Sequence, residues 1–144
     1  MSDSITHEDT LHIYQTADVT TSHQGNHTIK YVEAILKKDT LFLDFADLDA
    51  AYHGWLQIQI VKDKFTSEWS CIYIIKMPGE KIIYTTTKQK LILTTNQFEI
   101  GKKIRGKINI QFKENFSAPN YPSSTTNHFI KGYFETTILV PPKE

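Results

Sequence analysis

The segment IRGKINIQF, residues 104–112, alternates strictly between apolar and polar side chains. Its even positions carry Ile104, Gly106, Ile108, Ile110 and Phe112, and its odd positions carry Arg105, Lys107, Asn109 and Gln111. Successive side chains of a β-strand point to opposite faces, so this alternation predicts a strand with one buried and one exposed face. A slip of one residue would expose every apolar side chain, and the pattern therefore also fixes the register.

The same alternation recurs along the chain, whereas helical periodicity is scarce. Further strands are predicted at residues 40–45, 56–61, 70–76, 81–87, 90–95 and 129–140. The nearly continuous apolar run at 70–76 predicts a strand that is covered on both faces. We expect a mainly β fold, an antiparallel β-sandwich with a flattened β-barrel as the alternative and at most one short helix, in a single domain over residues 1–144.

Several segments depart from this regular pattern. Phe45, Leu48 and Tyr52 fit one face of a short helix over residues 45–53. The run at 115–127 has two prolines and almost no charge, which predicts an irregular loop. Strand and helix both fit residues 29–38, residues 11–16 fit a first strand, and residues 1–10 are expected to form a flexible tail.

Two short sequences near the C-terminus share an apolar, basic, glycine, any, apolar pattern. They are IRGKI at 104–108 and IKGYF at 130–134. In both, the glycine falls on the apolar face, where a missing side chain leaves room for a bend or a bulky neighbour. We predict that the two segments are neighbouring antiparallel strands.

The C-terminal third of the chain resembles the end of small bacterial β-sandwich proteins, often lipoproteins of unknown function. The residues that carry this resemblance are Leu91, Thr94, Thr95, Gly101, Ile104, Gly106, Ile108, Gly132 and Phe134. The resemblance implies a β-sandwich and implies no activity. The N-terminus has no apolar signal segment and no lipid-accepting cysteine, in contrast to that group.

Composition limits the class of protein. The 144 residues are 40% hydrophobic and 12% aromatic, enough for one core, and no apolar run is long enough to span a membrane. Cys71 is the only cysteine, so no internal disulfide forms. We expect a soluble cytoplasmic protein without a membrane span, and the sequence leaves its oligomeric state open.

The formal charge is zero, but the two halves of the chain differ. Residues 1–72 carry eleven acidic and five basic side chains, and residues 73–144 carry five acidic and eleven basic ones. Two interpretations fit this difference: a bipolar surface that steers a charged partner, or halves that pair with each other across one domain.

Metal and cofactor motifs are weak. Asp44, Asp47 and Asp49 lie close together, but they lack the glycine-spaced geometry of a calcium loop. His23 and His27 are four residues apart, but a zinc site needs further ligands that this pattern does not supply. We therefore predict no metal and no cofactor.

A catalytic site is also poorly supported. His53 is a candidate base, with Asp47 or Asp49 as its partner, beside an aromatic pair. No nucleophile is marked, because Ser67 and Ser70 lack the glycine-flanked turn of a hydrolase serine. We predict that the protein is not an enzyme.

Protein recognition remains as the predicted function. The candidate partner-binding residues are Asp44, Asp47, Asp49, Tyr52, Trp55, Phe116 and Tyr121. By analogy with other small β-rich bacterial proteins, the most concrete form is an immunity-type protein that neutralises a toxin, its acids mimicking phosphates, or a secretion-apparatus accessory.

The alternative is a β-barrel that binds a small ligand or single-stranded nucleic acid. Its basic face would consist of Lys102, Lys103, Arg105 and Lys107. Arg105 is the only arginine in the chain, and nucleic acid is therefore the disfavoured partner, because the bidentate fork that suits phosphates and bases is nearly absent.

Overall fold

The computed structural model describes residues 2–7 and 17–142, and for residues 6 and 7 it describes the backbone only. The described residues form eleven strands and no helix. The strands are β1 (Asp3–Ser4), β2 (Thr6–His7), β3 (Asp18–Thr21), β4 (His27–Ile29), β5 (Tyr31–Lys37), β6 (Thr40–Leu48), β7 (Tyr52–Val61), β8 (Lys64–Tyr73), β9 (Lys81–Leu93), β10 (Lys103–Ala118) and β11 (Tyr121–Leu139).

The strands form one sheet that is nearly closed into a barrel. Its order is β1-β8-β7-β6-β5-β11-β10-β9-β2, and the β3–β4 hairpin pairs with β11 beside this path. Neighbouring strands are mostly antiparallel, but β11 and β5 pair in parallel at Ile138 and Ala34. The predicted mainly β class is therefore confirmed, and the sheet comes close to the closed barrel of the alternative prediction.

The segment at residues 104–112 lies in the middle of β10 and alternates as predicted. Ile104, Ile108 and Ile110 are fully buried, whereas Lys107 is exposed. Strand β10 is paired on both sides, with β9 and with β11, so its even side chains face the interior of the barrel. Burial of each large apolar side chain contributes about 1.5–3 kcal/mol.

The two glycine-containing segments are neighbouring antiparallel strands, as predicted, with Ile108 opposite Gly132. A Cβ atom at Gly106 would overlap the ring of Phe134, so this glycine makes room for a buried aromatic side chain. Gly132 has a φ of 151°, and a Cβ atom there would overlap the backbone of Asp18. The absence of a side chain at Gly132 therefore lets β3 lie close to β11.

The predicted helix at residues 45–53 is wrong. Phe45 and Leu48 lie in β6, Tyr52 begins β7, and residues 49–51 form the turn between these strands. The Asp49 carboxylate accepts a hydrogen bond from the Ala51 amide at 2.9 Å, which stabilises the turn. Pairing of β6 with β5 and β7 outweighs the weak helical preference of three alanines.

The predicted irregular loop at 115–127 is also wrong. Strands β10 and β11 continue through it and are joined by a tight turn at Pro119 and Asn120, whose φ is 66°. Pro122 is tolerated because residues 121–127 of β11 pair with β10 alone, at an edge of the sheet. The segment with little charge is therefore the exposed end of the β10–β11 hairpin.

Three other predictions have different outcomes. Residues 31–37 are strand β5, which settles the ambiguity at 29–38. The covered strand predicted at 70–76 is wrong, because β8 ends at Tyr73 and Ile75 beyond it is 88% exposed. Residues 3–7, within the expected tail, pair with β8 and β9. The strand predicted at 11–16 lies outside the described residues.

Candidate functional site

The outer surface of β5, β6, β7 and β8 carries three parallel rows of side chains, which we call the docking face. The cross-strand pairing defines each row. The acidic row is Glu33, Asp44, Gln57 and Glu68; the aromatic row is Tyr31, Ala46, Trp55 and Ser70; the apolar row is Leu48, His53 and Ile72. The acidic and aromatic rows line an open depression of about 460 Å³.

The carboxylates of the acidic row have no basic partner within the described residues. Asp44 accepts one hydrogen bond, from Gln57 Nε2 at 3.0 Å. The nearest row of lysines on this surface contains Lys37 and Lys64, four residues further along the strands, which is roughly 13 Å away. The depression is therefore acidic, and no basic side chain of the described residues neutralises it.

The apolar side chains beside these acids are unusually exposed for their size. Leu48 is 65% exposed, Tyr31 57% and Ile72 53%. An apolar and aromatic surface next to unpaired charges is typical of protein interfaces, in which large rings contribute much of the binding free energy. The face thus has the chemistry of a docking surface.

A second polar cluster lies inside one end of the barrel, around His23. The turn between β3 and β4 inserts His23 there, and its side chain is fully buried. Its Nε2 atom lies 3.1 Å from the Tyr73 hydroxyl and 3.7 Å from Glu114 Oε2, while Nδ1 has no hydrogen-bond partner in the described residues. The imidazole is also surrounded by rings, Trp69 among them at 5.1 Å between centroids.

Glu114 connects this cluster to the barrel wall. Tyr84 donates a hydrogen bond to its Oε2 atom at 3.0 Å, and His128 Nε2 lies 3.3 Å from Oε1. The hydrogen bond from His23 lowers the pKa of Glu114 to about 2, with help from His128 and Tyr84 and against the effect of burial. The carboxylate is therefore ionised and fully engaged in structural contacts.

A separate pair, His27 and Asp47, fixes the same turn on its other side. His27 Nε2 lies 2.8 Å from Asp47 Oδ2, and the Tyr52 hydroxyl donates to the same oxygen at 3.1 Å. Burial lowers the pKa of His27, but hydrogen bonds to the Gly25 carbonyl and the Asp47 carboxylate outweigh it and raise the pKa overall. Burial, followed by the charge of Asp47, raises the pKa of Tyr52.

Three further groups at this end of the barrel, one thiol and two phenols, are neutral at pH 7. Burial raises the pKa of Cys71 to about 11 and that of Tyr73 to about 12. Burial also raises the pKa of Tyr84. A thiol with so high a pKa carries almost no thiolate at neutral pH, and thiolate is the nucleophilic form. The cluster is therefore poorly suited to nucleophilic chemistry at Cys71.

The predicted partner-binding residues separate into four places. Asp44 and Trp55 lie in the docking face, and Asp49 lies exposed in the β6–β7 turn. The other four do not join that face. Asp47 and Tyr52 are buried at the end of the barrel, whereas Phe116 and Tyr121 lie near the tip of the β10–β11 hairpin.

The candidate base His53 lies exposed on the outer surface between Leu48 and Ile72. Within the described residues it makes no hydrogen bond to either predicted carboxylate, because Asp47 is bonded to His27 on the inner side of the wall. The arrangement of a base and its orienting acid at His53 is therefore not formed.

The predicted basic residues lie on or beside the outer surface of β9, β10 and β11. Lys103 and Arg105 both contact Glu135, at 3.4 and 3.1 Å, which reduces their net charge. Lys102 precedes β10, and Lys107 lies 5.3 Å above the ring of Tyr133. Three further lysines on this surface are exposed: Lys88, Lys90 and Lys131.

Within residues 2–7 and 17–142, no lysine or arginine of one half of the sequence forms a salt bridge with an acid of the other half. In the part of the chain that the structure describes, the salt bridges of these residues involve only Glu135, within β10 and β11. The acidic docking face and the basic outer surface therefore lie on different strands of the barrel. The charge of the described residues is therefore distributed as the bipolar interpretation requires, and the steering of a charged partner stays a prediction.

Sequence reasoning missed Glu114, His128 and Tyr84 as members of one cluster. Glu114 continues the even, inward-facing positions of β10 beyond Phe112, and His128 shares the inward face of β11 with Ile130. The sequence did carry one signal: charged or polar side chains stand at positions of the alternation that otherwise face the interior. This signal identifies the inward face of each strand, but it does not show which strands meet around the cluster.

Over residues 2–7 and 17–142, no group of three or more His, Cys, Asp or Glu side chains is placed to hold a metal ion. The same residues contain no helix with the length and hydrophobicity that crossing a membrane requires. Comparisons with protein-family models, with curated proteins and with solved structures found no match to this chain.

Proposed function

We propose that this protein is a non-catalytic binding module that docks a basic partner protein on its docking face. The observation that carries the proposal is the acidic row, in which Glu33, Asp44 and Glu68 have no basic partner among the described residues and lie beside Trp55 and Tyr31. Complementary charge accelerates association, and the aromatic side chains supply desolvated contact area.

The most concrete form of this function is neutralisation of a toxin whose active surface is basic, with a secretion-apparatus component as another form of the same partner class. The acidic row would take the place of the phosphates that such a surface binds.

Affinity capture with matched variants tests the proposal. Asp44→Lys combined with Trp55→Ala changes the docking face without touching a buried side chain, and Lys90→Glu is the control on the basic surface. A partner captured by the wild type and by Lys90→Glu should be lost with the double variant. If that partner is a toxin, co-expression of the double variant should also fail to protect cells. Equal capture by all three proteins contradicts the proposal.

A second candidate function is binding of single-stranded nucleic acid on the outer surface of β9, β10 and β11. The observation in its favour is that Lys107 and Lys131 each lie over an aromatic ring, those of Tyr133 and Phe129, without a carboxylate partner in the described residues. The test measures affinity for a single-stranded oligonucleotide at increasing salt concentration. A steep fall in affinity with salt, and a lower affinity of Lys90→Glu than of the wild type, would favour this candidate over docking of a protein.

A further inference from the structure

Strands β8 and β9 follow each other in the chain, but no backbone ladder joins them within the described residues; we call the gap between them the seam. Side chains close it instead. The Thr86 hydroxyl donates to the Ser67 carbonyl at 2.8 Å, and Gln89 Nε2 donates to the Phe65 carbonyl at 3.5 Å. These carbonyls are acceptors that the backbone of a neighbouring strand satisfies in a regular sheet.

One end of the seam already holds an extended segment, the one that carries β1 and β2. Asp3 pairs with Phe65 of β8 in antiparallel orientation, and Thr6 pairs with Ile92 of β9 in parallel orientation. Ile5 between them is buried. At this end the seam therefore holds a strand with one defined direction, antiparallel to β8 and parallel to β9.

The outer side of the seam forms a polar groove of about 300 Å³ between the two strands. Thr66 and Glu68 line it from β8, and Thr85 and Thr86 line it from β9. Glu68 has no salt bridge among the described residues and also belongs to the acidic row. The groove is thus continuous with the docking face and has the same charge.

We propose that the seam binds an extended basic segment of the partner as an added β-strand. Its backbone amides would replace the Thr86 hydroxyl at the Ser67 carbonyl, beyond the position of Phe65 that Asp3 already pairs with, and its outward lysine or arginine side chains would reach Glu68. Its inward side chains must be small, because Trp69 and Tyr84 already occupy the interior beside the seam. This inference rests on the proposed function and specifies how the partner is held.

The probe is a synthetic peptide of about nine residues, a usual strand length, in which lysine and threonine alternate. A peptide with glutamate in place of lysine tests the charge, and one with a central proline tests the strand conformation. Fluorescence anisotropy measures binding, and hydrogen exchange measures the protection of amides in Thr66–Ile72 and Lys81–Thr87. Only the basic peptide without proline should bind well and slow exchange in both segments.

A matched pair of variants tests the competition at the seam. Thr86→Val removes the hydroxyl that occupies the Ser67 carbonyl and keeps the side-chain shape, so peptide binding should tighten about two- to tenfold, the usual value of one hydrogen bond. Thr126→Val removes an exposed hydroxyl of the β10–β11 hairpin, away from the seam, that makes no hydrogen bond in the described residues, and affinity should not change. Equal affinity of wild type and Thr86→Val overturns the inference.

The outcomes separate this inference from the proposed function. Suppose that the basic peptide binds, that Asp44→Lys abolishes this binding, and that the peptide leaves amide exchange in β8 and β9 unchanged. The seam inference is then overturned and the docking face stands. If exchange at the seam slows while Asp44→Lys and Trp55→Ala have no effect on affinity, strand addition stands and the proposed docking face is overturned.

Discussion

His27 donates one hydrogen bond from Nε2 to the Asp47 carboxylate and another from Nδ1 to the Gly25 carbonyl. Each donor–acceptor distance is 2.8 Å. A carbonyl and a carboxylate only accept hydrogen bonds, so both contacts are satisfied together only by the protonated imidazolium. The pair therefore fixes the β3–β4 turn against β6 in a way that depends on protonation.

The first prediction concerns the pH dependence of this pair. The pKa of His27 is raised, so its contribution to the free energy of unfolding is fully present below pH 6.5 and is lost as pH rises through the folded-state pKa. His27→Gln should therefore destabilise the protein more at about pH 5.5 than at about pH 9. Urea unfolding across this range measures the difference.

The control for this prediction is His53→Gln, because His53 is exposed and makes no hydrogen bond in the part of the chain that the structure describes. Its stability should follow the wild-type pH profile. A His27→Gln penalty that is the same at every pH would show that protonation of the imidazole does not stabilise the turn.

The second prediction concerns acid unfolding. The pKa of Glu114 is lowered from 4.5 to about 2, so its contribution is present above pH 4.5 and is lost as pH falls through about 2. The whole shift corresponds to roughly 3 kcal/mol. Glu114→Gln should remove this part of the acid sensitivity, as measured by stability between these two pH values. Glu68→Gln, at an exposed carboxylate, should leave the slope unchanged.

The third prediction tests the alternation in β10. Ile108→Ala creates a cavity inside the barrel and should lower the free energy of unfolding by about 2–5 kcal/mol. Lys107→Ala, one residue away on the exposed face, should change it by about 0.5 kcal/mol or less. Chemical denaturation of both variants is the measurement. Similar losses in the two variants would contradict the assignment of the buried face.

The fourth prediction concerns the close contact between β3 and β11. Gly132→Ala places a Cβ atom against the Asp18 backbone at a φ that side chains rarely adopt, and should cost about 3 kcal/mol or more. Gly101→Ala has a positive φ but nothing within 4 Å, so only the backbone strain of about 1–2 kcal/mol remains. Thermal unfolding compares them, and equal losses would mean that β3 moves aside freely.

The sequence was most informative where side chains alternate over a long strand. In β10 the parity of Ile104 to Phe112 predicted the buried face, and the glycines at 106 and 132 predicted the neighbouring strand. It failed at residues 45–53, because a short turn that joins two strands also places apolar residues at helical spacing. Strand partners come from long-range pairing, which local patterns do not contain.

The candidate site was predicted only in part, for the same reason. Asp44 and Trp55 were identified from composition, but the acidic row exists only because four strands align Glu33, Asp44, Gln57 and Glu68 across the sheet. Asp47, three residues beyond Asp44, is buried, because a strand alternates its faces every residue. Near the end of β6, Asp47 continues the inward parity of Phe45, whereas Asp44 belongs to the outward one.

Strand β11 pairs with β10, β3 and β5, and so joins two segments near the beginning of the chain to one near its end. Because β11 is the last strand of the barrel along the chain, β5 lacks the neighbour that closes its side until β11 has been synthesised. The barrel should therefore fold slowly, as expected when most contacts join distant parts of the sequence.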